Sequence, residues 1–275
     1  MRNKVSFGFL ALTILFISCN KGDQPLVNSP TKTAVDDARP VLLKDMEAEH
    51  LPAPYFHFEY DTSHYVKKIS FASQLFVYDV EYENKRVKKM INEPDANSLV
   101  YSYNANDQVS AIMEYSSKGD LVFKYQFSYN SANQLTQAYW YKYSANGSVD
   151  VIKRADLAYF ADGNLSTLNL YYPSGSGELT WSSKEEFFDY DNKTNVDDIV
   201  LLKDFFGSYL FLPQVKLQKN NPARERITSI VNDYEIQNSY DYRNDLPIVK
   251  YSLVNQTKGG NGQGPIQVAT HYSYY

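Results

Sequence analysis

Cysteine is almost absent from this chain: Cys19 is the only one in 275 residues. A lone cysteine allows neither an intrachain disulfide nor a cysteine-rich metal site. Four histidines, His50, His57, His64 and His271, lie far apart with no HxH or HExxH spacing, so no metal centre is predicted. Basic excess is missing too, with a net charge of −5 and a pI near 5.4, which removes the electrostatic footprint of a nucleic-acid binder. The longest apolar stretch, Val5 to Ile17, falls short of the about 20 residues a membrane-spanning helix needs. No GxSxG elbow, phosphate-cradling loop or cofactor motif occurs, so no catalytic residue, metal or cofactor is assigned.

The N-terminus carries a secretory pattern: Arg2 and Lys4, the apolar stretch, then Ser18 and Cys19. The small residue before the cysteine resembles a bacterial lipobox, with Phe16 where leucine is usual. That resemblance implies a signal peptide over 1–18, a lipid on Cys19, and an exported protein anchored in the outer membrane or at the cell surface. Each buried acyl methylene contributes roughly 0.8 kcal/mol, so several chains anchor durably. Residues 19–54 hold five prolines and no long periodic apolar face. They read as a lipid-anchored flexible linker, with at most a short helix over 41–49. One folded domain over 55–275 follows.

What the chain has in abundance is tyrosine, with 25 copies. Ten turn phrases begin on one, among them "YNANDQV" (103–109), "YSSKGDL" (115–121), "YNSANQL" (129–135), "YSANGSV" (143–149) and "YFADGNL" (159–165). Two residues before the closing Val or Leu, or one before it at Asp245, stands a residue that tolerates positive φ: Asp107, Gly119, Asn133, Gly147, Gly163 or Asp245. Each phrase therefore reads as a hairpin turn, with Tyr ending one strand and Val or Leu opening the next. Even separations between phrases place successive anchors on one face, and the aromatic stripe so formed is assigned to the core. The opposite face carries Lys124, Gln126, Lys142, Asp150, Arg154 and Asp156. The fold class is all-β: a long antiparallel up-and-down meander, strongly curved or closed into a barrel. One short helix is expected near 196–207, capped by Asn195 and plugging or covering one opening. "DYDNKTNVDD" (189–198) departs from a calcium loop at Lys193, Thr194 and Val200 and reads as the start of that helix.

The Tyr-Asp turns at 60, 190 and 240 and the Gly-Asp-Leu type closures resemble the tyrosine-aspartate repeats of Rhs-type surface proteins. The chain is also similar to repeat-bearing Bacteroidota lipoproteins of unknown function, through its lipobox, "FFDYDNKTNV" and "KNNP". That resemblance covers 55–275 and implies a porin-like antiparallel barrel with no established activity. Trp140 and Trp181 are the ligand-binding candidates, because an exposed aromatic stacks on a sugar ring. The expected function is a non-catalytic cell-envelope lipoprotein that meets the membrane through its lipid and binds a glycan, peptide or partner protein. Two alternatives stay open. One is an integral outer-membrane barrel or channel, which the polar face disfavours. The other is a polysaccharide-acting enzyme whose carboxylate pair leaves no spacing in sequence.

Overall fold

The computed structural model describes residues 41–203, 208–260 and 264–275. The signal segment 1–18, Cys19 and the expected linker as far as residue 40 lie outside these. Sixteen antiparallel strands close into one barrel, each hydrogen-bonded to its neighbours in chain order. The first half comprises β1 (Leu43–Ala48), β2 (Phe56–Tyr60), β3 (Val66–Phe71), β4 (Phe76–Glu83), β5 (Arg86–Asn92), β6 (Ser98–Tyr103), β7 (Val109–Tyr115) and β8 (Leu121–Tyr129). The second comprises β9 (Leu135–Tyr143), β10 (Val149–Tyr159), β11 (Leu165–Pro173), β12 (Leu179–Tyr190), β13 (Pro222–Ser229), β14 (Asp233–Arg243), β15 (Leu246–Lys258) and β16 (Ile266–Tyr274). Nine of the ten Tyr-to-Val/Leu phrases are hairpin turns, the phrase at 190–196 instead opening the long connection from β12 to β13, and Asp107, Gly119, Asn133, Gly147, Gly163 and Asp245 all have positive φ.

The domain starts earlier than the expected boundary at 55. Residues 41–49 contain no helix; Leu43–Ala48 form β1, which pairs with β16 through Met46↔Tyr272 and Ala48↔Thr270. Leu43 and Met46 are buried, while Asp45 and Glu47 alternate with them along the strand. Closure is the physical reason, since without β1 the edges of β2 and β16 would be unpaired. Among the described residues every strand partner lies within 43–274, and Pro40–Tyr275 form one compact unit.

The expected helix near 196–207 is, among the described residues, one turn of 3-10 helix at Asp198–Val200. Asn195 does act at its start, its Oδ1 accepting from the N–H groups of Asp197 and Asp198 at 3.0 Å each. The helix stops because the carboxylate of Asp198 is taken up by the returning chain, accepting from the N–H of Leu217 at 2.8 Å and facing Lys216 Nζ at 2.8 Å.

The even-spacing rule holds on β8, where Phe123, Tyr125 and Phe127 lie inward with Gln126 and Ser128 exposed. It fails on the strands that follow a tyrosine turn. Core residues there are three apart, as in Val87 and Met90, Val109 and Ile112, Leu135 and Ala138, or Leu165 and Leu168. A register shift beside each of these turns adds one residue and reverses the alternation. On β9 the reversal sends Trp140 into the barrel and puts Tyr139 and Tyr141 outside, contrary to the core stripe expected from spacing.

The outer surface is charged along the strands. Lys68 meets Glu93 at 2.6 Å, Arg226 meets Glu235 at 2.7 Å, and Arg154 meets Asp156 at 3.0 Å. The core lies inside, with Phe56, Ile69, Tyr78, Met90, Leu99 and Phe187 fully buried.

Candidate functional site

A series of tyrosines at one rim give their hydroxyls to backbone carbonyls. Tyr60 donates to Leu43, Tyr103 to Val87, Tyr129 to Val109, Tyr159 to Leu135, Tyr190 to Leu165, Tyr240 to Pro222 and Tyr274 to Pro247, at 2.6–3.0 Å. In most of these the acceptor is the Val or Leu that closes the preceding phrase, so the repeat stitches each turn to the last. Burial pushes the Tyr60 hydroxyl up to about 12, which keeps it a donor at any physiological pH.

At this rim the β12–β13 connection turns into the barrel and forms a plug. Its neck is clasped by the two halves of the "DYDNKTNV … KNNP" pattern. Asp191 N–H donates to the Asn221 carbonyl and Asn195 N–H to the Lys219 carbonyl, both at 3.0 Å. Asn164, only 1% exposed, accepts from the N–H groups of Lys219 and Asn220 at 2.9 and 3.0 Å. Gly163 beside it has φ +91°, and a Cβ there would collide with the Lys219 ammonium.

The plug is fixed to the wall on several sides. Ser208 Oγ donates to Glu114 Oε1 of β7 at 3.0 Å, while Glu114 Oε2 accepts from Tyr125 at 2.5 Å. Burial raises the Glu114 carboxyl, partly offset by these two donors. Tyr209 packs its ring 5.3 Å from that of Phe56, and the Leu217 carbonyl accepts from the N–H of Leu165 at 3.0 Å. Across the barrel Asp197 Oδ2 lies 3.2 Å from Lys250 Nζ and accepts from Tyr272 at 2.7 Å. Burial opposes ionisation of Asp197, but the charge of Lys250 and the Tyr272 hydrogen bond outweigh it and hold the carboxyl below its ordinary value.

Between plug and wall, on the side of β2 to β6, lies a cleft of about 650 Å³. Such a volume falls within the about 300–1,000 Å³ of small-molecule sites. Its aromatic lining comes from Phe58, Tyr60, Tyr65, Tyr82 and Tyr103, and the plug contributes Val196, Ile199, Leu202 and Tyr209. Lys85, Arg86 and His64 stand on the turns at its edge. Apolar walls with a few polar groups suit reversible binding, and no nucleophile–base pair is present in the lining.

Deeper in the lumen, Glu225 lies 3.5 Å from Lys250 and accepts from Asn238 Nδ2 at 2.7 Å. Glu185 stands diagonally to it on β12, since Phe187 is the residue opposite Glu225. Burial, then the charge of Glu225, pushes the Glu185 carboxyl up to about 7.

Neither tryptophan lines the cleft. Trp140 faces the lumen, 5% exposed, with Lys153 Nζ 4.4 Å over its ring. Trp181 is 38% exposed on the outer surface opposite Tyr171. His57, which shows no carboxylate partner in sequence, lies 2.6 Å from Asp45 across β1–β2. The sequence signals missed for the cleft were Tyr60, Tyr82 and Tyr103, which stand there as turn punctuation.

A porin-like protein from Bacteroides uniformis superposes on this chain with a TM-score of 0.54 at 13% identity, over 80% of this chain and 89% of that one. In fold the chain is similar to a porin-like protein. At that identity the likeness speaks for the barrel alone. A porin-like protein from Bacteroides vulgatus gives 0.47 at 12% identity, over 85% and 99% of the two chains. A DUF3836 family protein from Bacteroides vulgatus gives 0.22 at 15%, over 38% and 89%. Both scores are too low to carry a fold argument. No family model and no curated protein matches the chain.

Proposed function

We propose that this chain is a non-catalytic envelope protein, lipid-anchored through Cys19, whose plugged barrel is a binding module held outside the hydrocarbon of the membrane. The observation that carries the reading is the aromatic cleft between plug and wall. Two further features support it. A charge on the lipid face of a membrane barrel costs about 2–4 kcal/mol at the bilayer midplane, and this outer surface carries ion pairs where a lipid belt would be. The plug also reaches β2, β7, β11, β15 and β16, which disfavours an open channel.

Residues 20–275, without lipid or detergent, test both halves. The reading expects a monodisperse monomer that melts cooperatively, with a small ligand raising its Tm and protecting amides of 60–66 and 82–87 from exchange. Solubility only in detergent, or ion conductance in planar bilayers, refutes the first half. A screen of glycans, peptides and amphiphiles that protects none of those amides refutes the second.

A second reading rests on Glu185 and Glu225, one carboxyl raised to about 7 and its neighbour 3.5 Å from Lys250, a pair of unlike environments of the kind used in glycoside hydrolysis. It requires polysaccharide turnover that both Glu185→Gln and Glu225→Gln abolish; turnover unaffected by either, or none at all, removes it.

A further inference from the structure

The ring of rim tyrosines has one break, and it falls in the cleft. Tyr82 opens its turn phrase as Tyr60, Tyr103 and Tyr129 do, and by the same pattern its hydroxyl would reach the carbonyl of Val66. Among the described residues that hydroxyl has no hydrogen-bond partner, and the Tyr65 ring lies 5.1 Å away, tilted by 55°. Tyr82 itself lines the cleft. A donor left free where its counterparts are all engaged is available to a ligand.

Charge in the cleft runs opposite to that of the whole protein. The chain is net −5, yet the lining carries Lys85, Arg86 and Lys216 against a single carboxylate, Asp198, which Lys216 holds at 2.8 Å. Arg86 lies with its guanidinium 5.4 Å from the Tyr103 ring centroid and shares Asp107 of the next turn. Lys85 has no partner among the described residues, and its position is set by a two-residue turn in which Asn84 and Lys85 both have positive φ. Cations thus sit at the edge of the cleft and apolar side chains, Phe58, Val66, Leu202 and Phe211 among them, form its interior.

We infer that the cleft binds an amphipathic anion, its apolar body between plug and wall and its headgroup against Lys85, Arg86 and the Tyr82 hydroxyl. This rests on the binding reading above. A carboxylate and a phosphate share this chemistry, both accepting from an ammonium, a guanidinium and a phenol.

The test titrates residues 20–275 by calorimetry with dodecanoate, dodecyl phosphate, dodecyl maltoside and dodecyltrimethylammonium, each below its micelle concentration. The expected result is one site for either anion, at least about tenfold tighter than for the neutral and cationic amphiphiles. The stronger of the two anions identifies the headgroup source. Lys85→Glu, on an exposed turn, is expected to weaken the anions about tenfold or more and leave the maltoside unchanged. Tyr82→Phe is expected to weaken the anions about threefold to tenfold with no change in Tm. Equal binding of all four amphiphiles, indifferent to Lys85→Glu, overturns the anionic headgroup and leaves the cleft standing. If no amphiphile binds but a sugar or peptide protects the amides of 82–87, the inference falls and the binding reading survives. If nothing protects those amides, both fall.

Discussion

Replacing Tyr129 by Phe removes one hydroxyl and nothing else from the rim. That hydroxyl donates to the Val109 carbonyl at 2.8 Å, and Val109 is 2% exposed, so water does not simply take its place. A hydrogen bond of this kind contributes about 0.5–1.5 kcal/mol net. In a domain of this size 1 kcal/mol moves Tm by about 2–4 °C. Tyr129→Phe is therefore expected to lower Tm by about 2–5 °C and to shift the urea midpoint with an unchanged slope. Tyr82→Phe is the internal control: it deletes a hydroxyl with no partner among the described residues and is expected to change Tm by less than about 1 °C. Thermal and urea unfolding of both variants beside wild type decide the matter. Equal losses from the two, or none from Tyr129→Phe, would refute the view that the repeated tyrosine is a turn-to-turn fastener.

Asp197→Ala takes from Lys250 the nearer of its two carboxylates, leaving Glu225 at 3.5 Å, and frees one side of the plug; a loss of about 1–3 kcal/mol in urea unfolding is expected, and a change well below about 1 kcal/mol contradicts it. Asn164→Ala leaves the N–H groups of Lys219 and Asn220 without their acceptor and is expected to cost about 2 kcal/mol or more, with faster amide exchange over 217–221. Glu185 makes stability depend on pH. Its folded pKa of about 7 lies above the unfolded 4.5, so between these values the native state keeps a proton that the unfolded chain has released. Its contribution is therefore full below about pH 4.5 and is lost as pH rises through about 7. The fall is at most about 3 kcal/mol, reduced by solvent screening of a half-buried group, and Glu185→Gln is expected to flatten it.

The turns were legible because their chemistry is local: positive φ at Asp107, Gly119, Asn133, Gly147, Gly163 and Asp245 follows from residue type and neighbours alone. Strand count and the all-β class follow from those turns. The bulge after Val87, Val109, Leu135 and Leu165 was not legible, since it adds a residue without any composition signal, and it reversed Trp140 and Tyr139. The role of β1 was hidden for a different reason. A six-residue strand flanked by prolines reads as linker until its partner, more than 200 residues later in the chain, is known. The plug is a similar case: its apolar residues suggested a helix, but Asn195, Asp198, Lys216 and Leu217 meet only once the chain folds back on itself. The cleft arises from that same long-range meeting, so its tyrosines carried no mark beyond their place in a repeat.

Amide hydrogen exchange of residues 20–275, with and without saturating dodecyl phosphate, tests most directly whether the cleft between plug and wall is the binding site. At about 100 times Kd the ligand adds about 2.7 kcal/mol of stability overall, but the local pattern is what discriminates. Added protection is predicted at 60–66, at 82–87 and in the described plug residues 194–202 and 209–217. Protection confined to the opposite rim, at 115–121, 143–149 or 173–179, or absent throughout, would contradict it.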